Sequence, residues 1–215
     1  MNPYLFNAEE LKIITALQSK NLSSKDMWED NSVSDIKSRL KKHYIMEQKQ
    51  KCAYCKVELH TTHGMVWDTE HIIDKDSFPQ WTFEPLNLCV SCKDCNQAKG
   101  SRAVTKSTNY KSFPNKNANY CIVHAHFDNY VDHIEAAVPG VTYRYKTEKG
   151  RNTIEICGLL RYHEIGDRKD IDPTLQAVLC HAADKQTAEA VKNAIVHLLT
   201  NIGKEYLLDK IDLEK

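Results

Sequence analysis

Two Cys-x-x-Cys pairs, Cys52 with Cys55 and Cys92 with Cys95, constrain this chain more than any other feature. A turn of that spacing places two thiolates on one cation. Two such turns supply the four soft ligands of a closed tetrahedral zinc site. The 36 residues from 56 to 91 exceed what a simple finger needs, so the metal is expected to staple the base of an inserted unit. Cys89 offers a rival pair with Cys92, but a ring there would overlap the strand after Asn87 and leave Cys95 idle. With both pairs saturating the metal, His60 and His63 read as surface-loop residues. Cys121, Cys157 and Cys180 stand alone in apolar segments and read as small buried hydrophobes.

A disulfide framework would require a secreted chain. The start, MNPYLFNAEE, has no basic segment leading into an apolar one, and no apolar run approaches bilayer length. The expectation is a cytoplasmic protein with reduced, metal-bound thiols and no membrane partner. The formal net charge is zero, so no global field advertises nucleic acid. Charge is uneven, however: from Lys93 to Lys116 six basic residues (Lys93, Lys99, Arg102, Lys106, Lys111, Lys116) face one acid, Asp94. Beside a metal-binding motif, such a patch suits phosphate.

A chain of 215 residues suits one domain with an extension. Residues 1–50 read as a helical N-terminal extension. Asn7 caps a helix to about Lys20, a short helix fits around Met27 and Trp28, and another spans Val33 to Lys49 with Ile36, Leu40, Tyr44 and Ile45 on one face. Residues 51–111 form the core unit: a strand from Met65 to Ile73, a long loop to Pro85, a strand from Leu86 to Ser91 and a helix from Lys93. Residues 112–215 read as a mixed region. Short strands, TIEICGLL among them, are separated by turns at Pro139-Gly140 and Lys149-Gly150, and helices follow from Asp172 and from Thr187. The stripe Val191, Ile195, Leu198, Leu199, Ile202 suits core packing or the docking of a partner.

The core unit also carries oxygen and imidazole chemistry. Glu70 and His71 close the first strand, where a twisting chain end lets them address a cation and a water together. Asn96 offers an amide oxygen from the helix. One carboxylate, one amide oxygen and water suit Mg2+. A neutral His71 can take a proton from the attacking water, while the cation neutralises charge developing on phosphate. Lys99 lies one helical turn from Asn96, within reach of a flanking phosphate. His124, His126 and Asp128 form a weaker candidate for a second metal site.

The order Glu-His-Ile-Ile, then Asn87-Leu88, then Cys-x-x-Cys-Asn-x-x-Lys-Gly resembles the HNH endonucleases, the zinc-bearing branch of the ββα-metal nucleases. The resemblance spans about residues 51–102. It implies an α+β fold with a zinc-stapled ββα-metal core and helical extensions, cutting DNA, with RNA or tRNA as the alternative substrate. It makes His71 the general base, Glu70 and Asn96 the ligands of catalytic Mg2+ or Mn2+, and Asn87 the residue that orients the loop and the base. Asp68 matches an acid often found two positions before the metal-binding one. Lys99 and Arg102 become nucleic-acid contacts. Glu70 stands where Asp or His is usual, and Asn96 where His is usual. More loosely, the helical ends and the HAHFDNYVDHI segment are similar to the nuclease subunits of Septu-type anti-phage systems. That similarity implies an SMC/ABC-like ATPase partner. The contrasting reading is a zinc-dependent nucleic-acid-binding module without catalysis.

Overall fold

The computed structural model describes residues 1–61 and 65–161. The chain divides into two units, and the described residues fall in the first, Met1–Arg161. The helices expected after Asp172 and Thr187, with their apolar stripe and Cys180, lie outside the described residues. Within the first unit the secondary structure is mixed α and β, with two separate two-stranded antiparallel sheets. No described helix is long and apolar enough to cross a membrane.

Three helices open the chain: α1 (Ala8–Gln18), α2 (Ser24–Glu29) and α3 (Ser34–Glu47). Asn7 caps α1 as expected. Its side chain accepts from the amides of Glu9 and Glu10, and the Glu10 carboxylate reaches back to the Asn7 amide at 2.9 Å. Glu10 is nevertheless 2 % exposed, because Arg39 of α3 pairs with it at 2.9 Å and the Tyr4 hydroxyl donates to it. The cap of one helix thus doubles as its bond to another.

The apolar face of α3 is the one its periodicity predicts: Ile36, Leu40, Tyr44 and Ile45 are buried. It packs on both strands of the first sheet, β1 (Trp67–His71) and β2 (Leu88–Cys92), so residues 1–50 belong to the same compact body as the core unit. Three polar side chains fix the crossing. Lys41 donates to the Trp67 carbonyl at 2.9 Å, and the Tyr44 hydroxyl donates to the Pro85 carbonyl at 2.7 Å. The Gln48 amide makes two bonds to Val90, one to its N–H and one to its carbonyl, each 2.8 Å.

β1 and β2 pair in antiparallel register from Trp67 opposite Cys92 to His71 opposite Leu88. Helix α4 (Lys93–Lys99) follows β2 without a linking residue. Strand alternation turns Asp68 and Glu70 to one face of β1, and Trp67, Thr69 and His71 to the other.

Downstream, α5 (Tyr130–His133) leads into β3 (Ile134–Val138), which pairs with β4 (Thr142–Tyr145) across the expected Pro139-Gly140 turn. The next segment departs from expectation. Thr153 to Leu160 was expected to be strand, with a turn at Lys149-Gly150; instead α6 runs from Glu148 to Ile156. Thr147 caps it by accepting from the Gly150 amide. Gly150 is present for proximity rather than turning, since a Cβ there would lie 2.0 Å from the His133 carbonyl oxygen.

Candidate metal centre and active site

The four sulfurs meet. Cys52, Cys55, Cys92 and Cys95 are all buried, and their sulfurs lie within 4.8 Å of one another. A tetrahedral zinc with Zn–S near 2.3 Å separates its sulfurs by about 3.8 Å, and Cys55 and Cys92 stand 3.8 Å apart. Backbone bonds shape the cradle: Cys52 donates to the Val57 carbonyl, Lys56 (φ 59°) returns to the Cys52 carbonyl, and the Cys92 amide points at the Cys52 sulfur. Hydrogen bonding within the cluster lowers the Cys55 thiol and raises that of Cys95. Such a group keeps a proton until a cation replaces it. The donor chemistry and the spacing both fit zinc. Cys89 stands outside the cluster, fully buried, with its thiol pushed up by desolvation.

Sequence reasoning missed a guanidinium at this centre. Arg161 places Nη1 3.5 Å from the Cys95 sulfur and Nη2 3.8 Å from that of Cys92, and also approaches Asp94 at 3.5 Å. Four thiolates around a divalent ion leave a net charge of about −2, and Arg161 sets a fixed positive charge against it. Its distance in sequence hides it, since nothing near Cys92 announces an arginine 69 residues on.

At the other end of the hairpin, the loop 72–87 is closed by Asn87, which is 0 % exposed. Its Oδ1 accepts from the Ile73 amide at 2.7 Å. Its Nδ2 donates to the Ile73 and Trp81 carbonyls at 3.0 and 3.2 Å, and its own carbonyl accepts from the Ile72 amide at 2.8 Å. This clamp holds the turn carrying Thr82, and the Thr82 carbonyl lies 3.0 Å from His71 Nε2. A carbonyl can only accept, so Nε2 carries the proton and Nδ1 keeps the lone pair. The His71 ring meets Trp28 edge to face at 4.6 Å. Burial, helped by the charges of Lys75 and Lys99, pushes its pKa down to about 4. The imidazole is therefore neutral at pH 7.

The acid and amide expected to share a cation have other partners. Glu70, 3 % exposed, pairs with Lys99 at 2.7 Å and accepts from the Tyr54 hydroxyl at 3.1 Å. Burial pushes its carboxyl pKa up, against the pull of Lys99. Asn96 donates through Nδ2 to Asp68 at 2.9 Å, and Lys93 approaches the same carboxylate at 3.2 Å. As oxygen donors for Mg2+ or Mn2+, the half-buried Asp68 and Asn96 fit, the amide flipping to present Oδ1. Glu70, neutralised by an ammonium, does not.

The expected nucleic-acid contacts need correction in part. Lys99 is 1 % exposed and its ammonium is held inside, so it presents no charge to a phosphate. Arg102 is exposed but donates to the Ile156 carbonyl at 3.1 Å, at the C-terminal end of α6. Lys93, Lys106, Lys111 and Lys116 remain exposed.

The second histidine group is used in packing. His126 donates to the Leu88 carbonyl at 2.8 Å. Asp128 accepts from the His124 amide and pairs with Lys149, and His124 packs against the Tyr120 and Phe127 rings. Among the described residues, the four cysteines are the only group of three or more His, Cys, Asp or Glu placed to hold a metal. Cys157 is fully buried, as expected, while Cys121 is only half-buried.

Comparison with protein-family models, with curated proteins and with solved structures finds no match.

Proposed function

We propose that the hairpin and α4 form the core of an HNH-type, zinc-stapled nuclease that hydrolyses DNA phosphodiester bonds, with His71 as general base. One observation carries this reading: a buried loop carbonyl, held in place by Asn87, fixes the His71 tautomer with Nδ1 free to accept a proton. A base is useful only if it is neutral and aimed. Burial secures the first requirement, and the Thr82 bond the second. A binding module without catalysis has no need of such an arrangement.

In the proposed reaction His71 Nδ1 takes a proton from the attacking water. Asn96, with Asp68 beside it, would hold Mg2+ or Mn2+, on the face of β1 opposite the one to which strand alternation turns His71. When bound there, the ion would supply neutralisation of the negative charge that develops on the phosphate. The exposed lysines after α4 supply backbone contacts without base readout, so sequence preference should be weak. Assembly with an SMC/ABC-like ATPase is proposed on the family resemblance alone.

The test is plasmid nicking by zinc-loaded protein with Mg2+, with structured RNA supplied in parallel. His71→Ala is expected to lower the rate by about a hundredfold or more. A variant that cuts like the parent would remove the assigned base. Cleavage of the RNA alone would move the substrate class.

A further inference from the structure

Asp68 and Glu70 face the same side of β1, toward α4, yet their surroundings differ. The Asp68 side chain is 27 % exposed, whereas those of Glu70 and Lys99 are 4 % and 2 % exposed. The Lys99 ammonium is ringed by three oxygens: Glu70 Oε1 at 2.7 Å, the His71 carbonyl at 3.0 Å and the Gly100 carbonyl at 3.2 Å. Tyr54, inside the first Cys-x-x-Cys turn, supplies a further hydrogen bond to the same Glu70 oxygen.

We propose that Glu70 is a positioning residue acting through Lys99, and not a cation ligand. The side chain of Lys99 already fills the place beside Glu70 where a divalent ion would sit. Through its bond to the His71 carbonyl, it ties the end of β1 to the end of α4. A cation could reach Glu70 only by expelling a buried ammonium and leaving it without its counter-charge. The protein oxygens that remain toward α4 are Asp68 and Asn96, on the more open part of that face. Glu70 thus sets the relation between the His71 backbone and the helix bearing Asn96 while contributing no bond to the ion. Only the activity readout below rests on the nuclease reading.

The variants are Glu70→Gln, Lys99→Met, the double variant and Asp68→Asn, each in the full zinc-loaded chain. Mn2+ binding is followed by electron paramagnetic resonance, nicking by kcat against Mn2+ concentration, and stability by thermal melting. Glu70→Gln and Lys99→Met should each lower kcat by about tenfold to a hundredfold, the cost of a small misplacement. Mn2+ binding should stay within about twofold of the parent in both. The double variant, with no buried charge left over, should melt above either single variant and regain part of the lost kcat. Asp68→Asn should weaken Mn2+ binding.

The proposal is overturned if Glu70→Gln loses Mn2+ while melting like the parent. It is also overturned if Lys99→Met binds the ion more tightly, or if the double variant is no better than the singles. If the parent cuts no nucleic acid, the nuclease reading falls alone, and Mn2+ binding with the melting comparison still decides the role of Glu70.

Discussion

The two ends of the β1–β2 hairpin are secured by opposite means. At the Trp67–Cys92 end, four sulfurs gather for a cation. At the His71–Leu88 end, one asparagine side chain makes three bonds to the loop backbone, and a histidine hangs from that loop by a carbonyl. The sulfur end can be loosened by taking an ion away; the asparagine end has no ion to lose. On the proposed nuclease reading, the difference separates scaffold from site. A metal would fix the base of the hairpin, while neutral hydrogen bonds position an imidazole without adding charge beside it.

The largest effect should come from the sulfur end. Stripping zinc with a chelator, or Cys95→Ser, is expected to unfold residues 51–102. Structural zinc in small units is worth on the order of 10 kcal/mol, and the check is loss of the cooperative melt on chelation with recovery when zinc returns. A melt unchanged by chelation would erase the contrast between the ends. Next comes Asn87→Ala, which strands buried amide and carbonyl groups and should destabilise by about 3 kcal/mol. Denaturant unfolding with zinc present measures it, and on the proposed nuclease reading cleavage should fall further than stability alone explains.

Acid should act on the histidine end in a definite window. The His71 pKa is about 4 in the fold and about 6.5 in an unfolded chain. Between those values the unfolded state binds more protons, so stability is full above pH 6.5 and drains away as pH falls toward 4. The contribution is roughly 3 kcal/mol at most, read as the difference in pH slope between the parent and His71→Gln. The smallest effect is expected at Arg161. Arg161→Gln removes a charge facing the Cys92 and Cys95 sulfurs and should speed zinc transfer to a chromophoric chelator by about tenfold. Arg161→Lys should recover part of that loss.

Much of this was legible in the chain because it is local or periodic. The Asn7–Glu10 box, the apolar stripe of α3, the paired cysteines and the strand–loop–strand–helix order all announce themselves within a few residues. Asn87 was singled out by the family resemblance alone; the clamp it makes shows only once the loop is folded around it. Glu70 and Lys99 were not. They lie 29 residues apart, and each alone suggests a role at the surface, one as a metal ligand and the other as a phosphate contact. Only the packing of α4 against β1 shows that each answers the other. Tyr54 was hidden for the same reason, and α6 because TIEI alternates like a strand while its start is decided by a threonine six residues earlier.

The Gln48 side chain carries a consequence beyond orienting α3. Val90 sits at the middle of β2, and its outward N–H and carbonyl would otherwise offer a foreign strand a place to add on. The Gln48 amide satisfies both groups, and Ala53 bonds the same carbonyl. A short, wholly buried strand, the kind of segment that templates aggregation when bare, is thereby sealed by a single glutamine mimicking a peptide group.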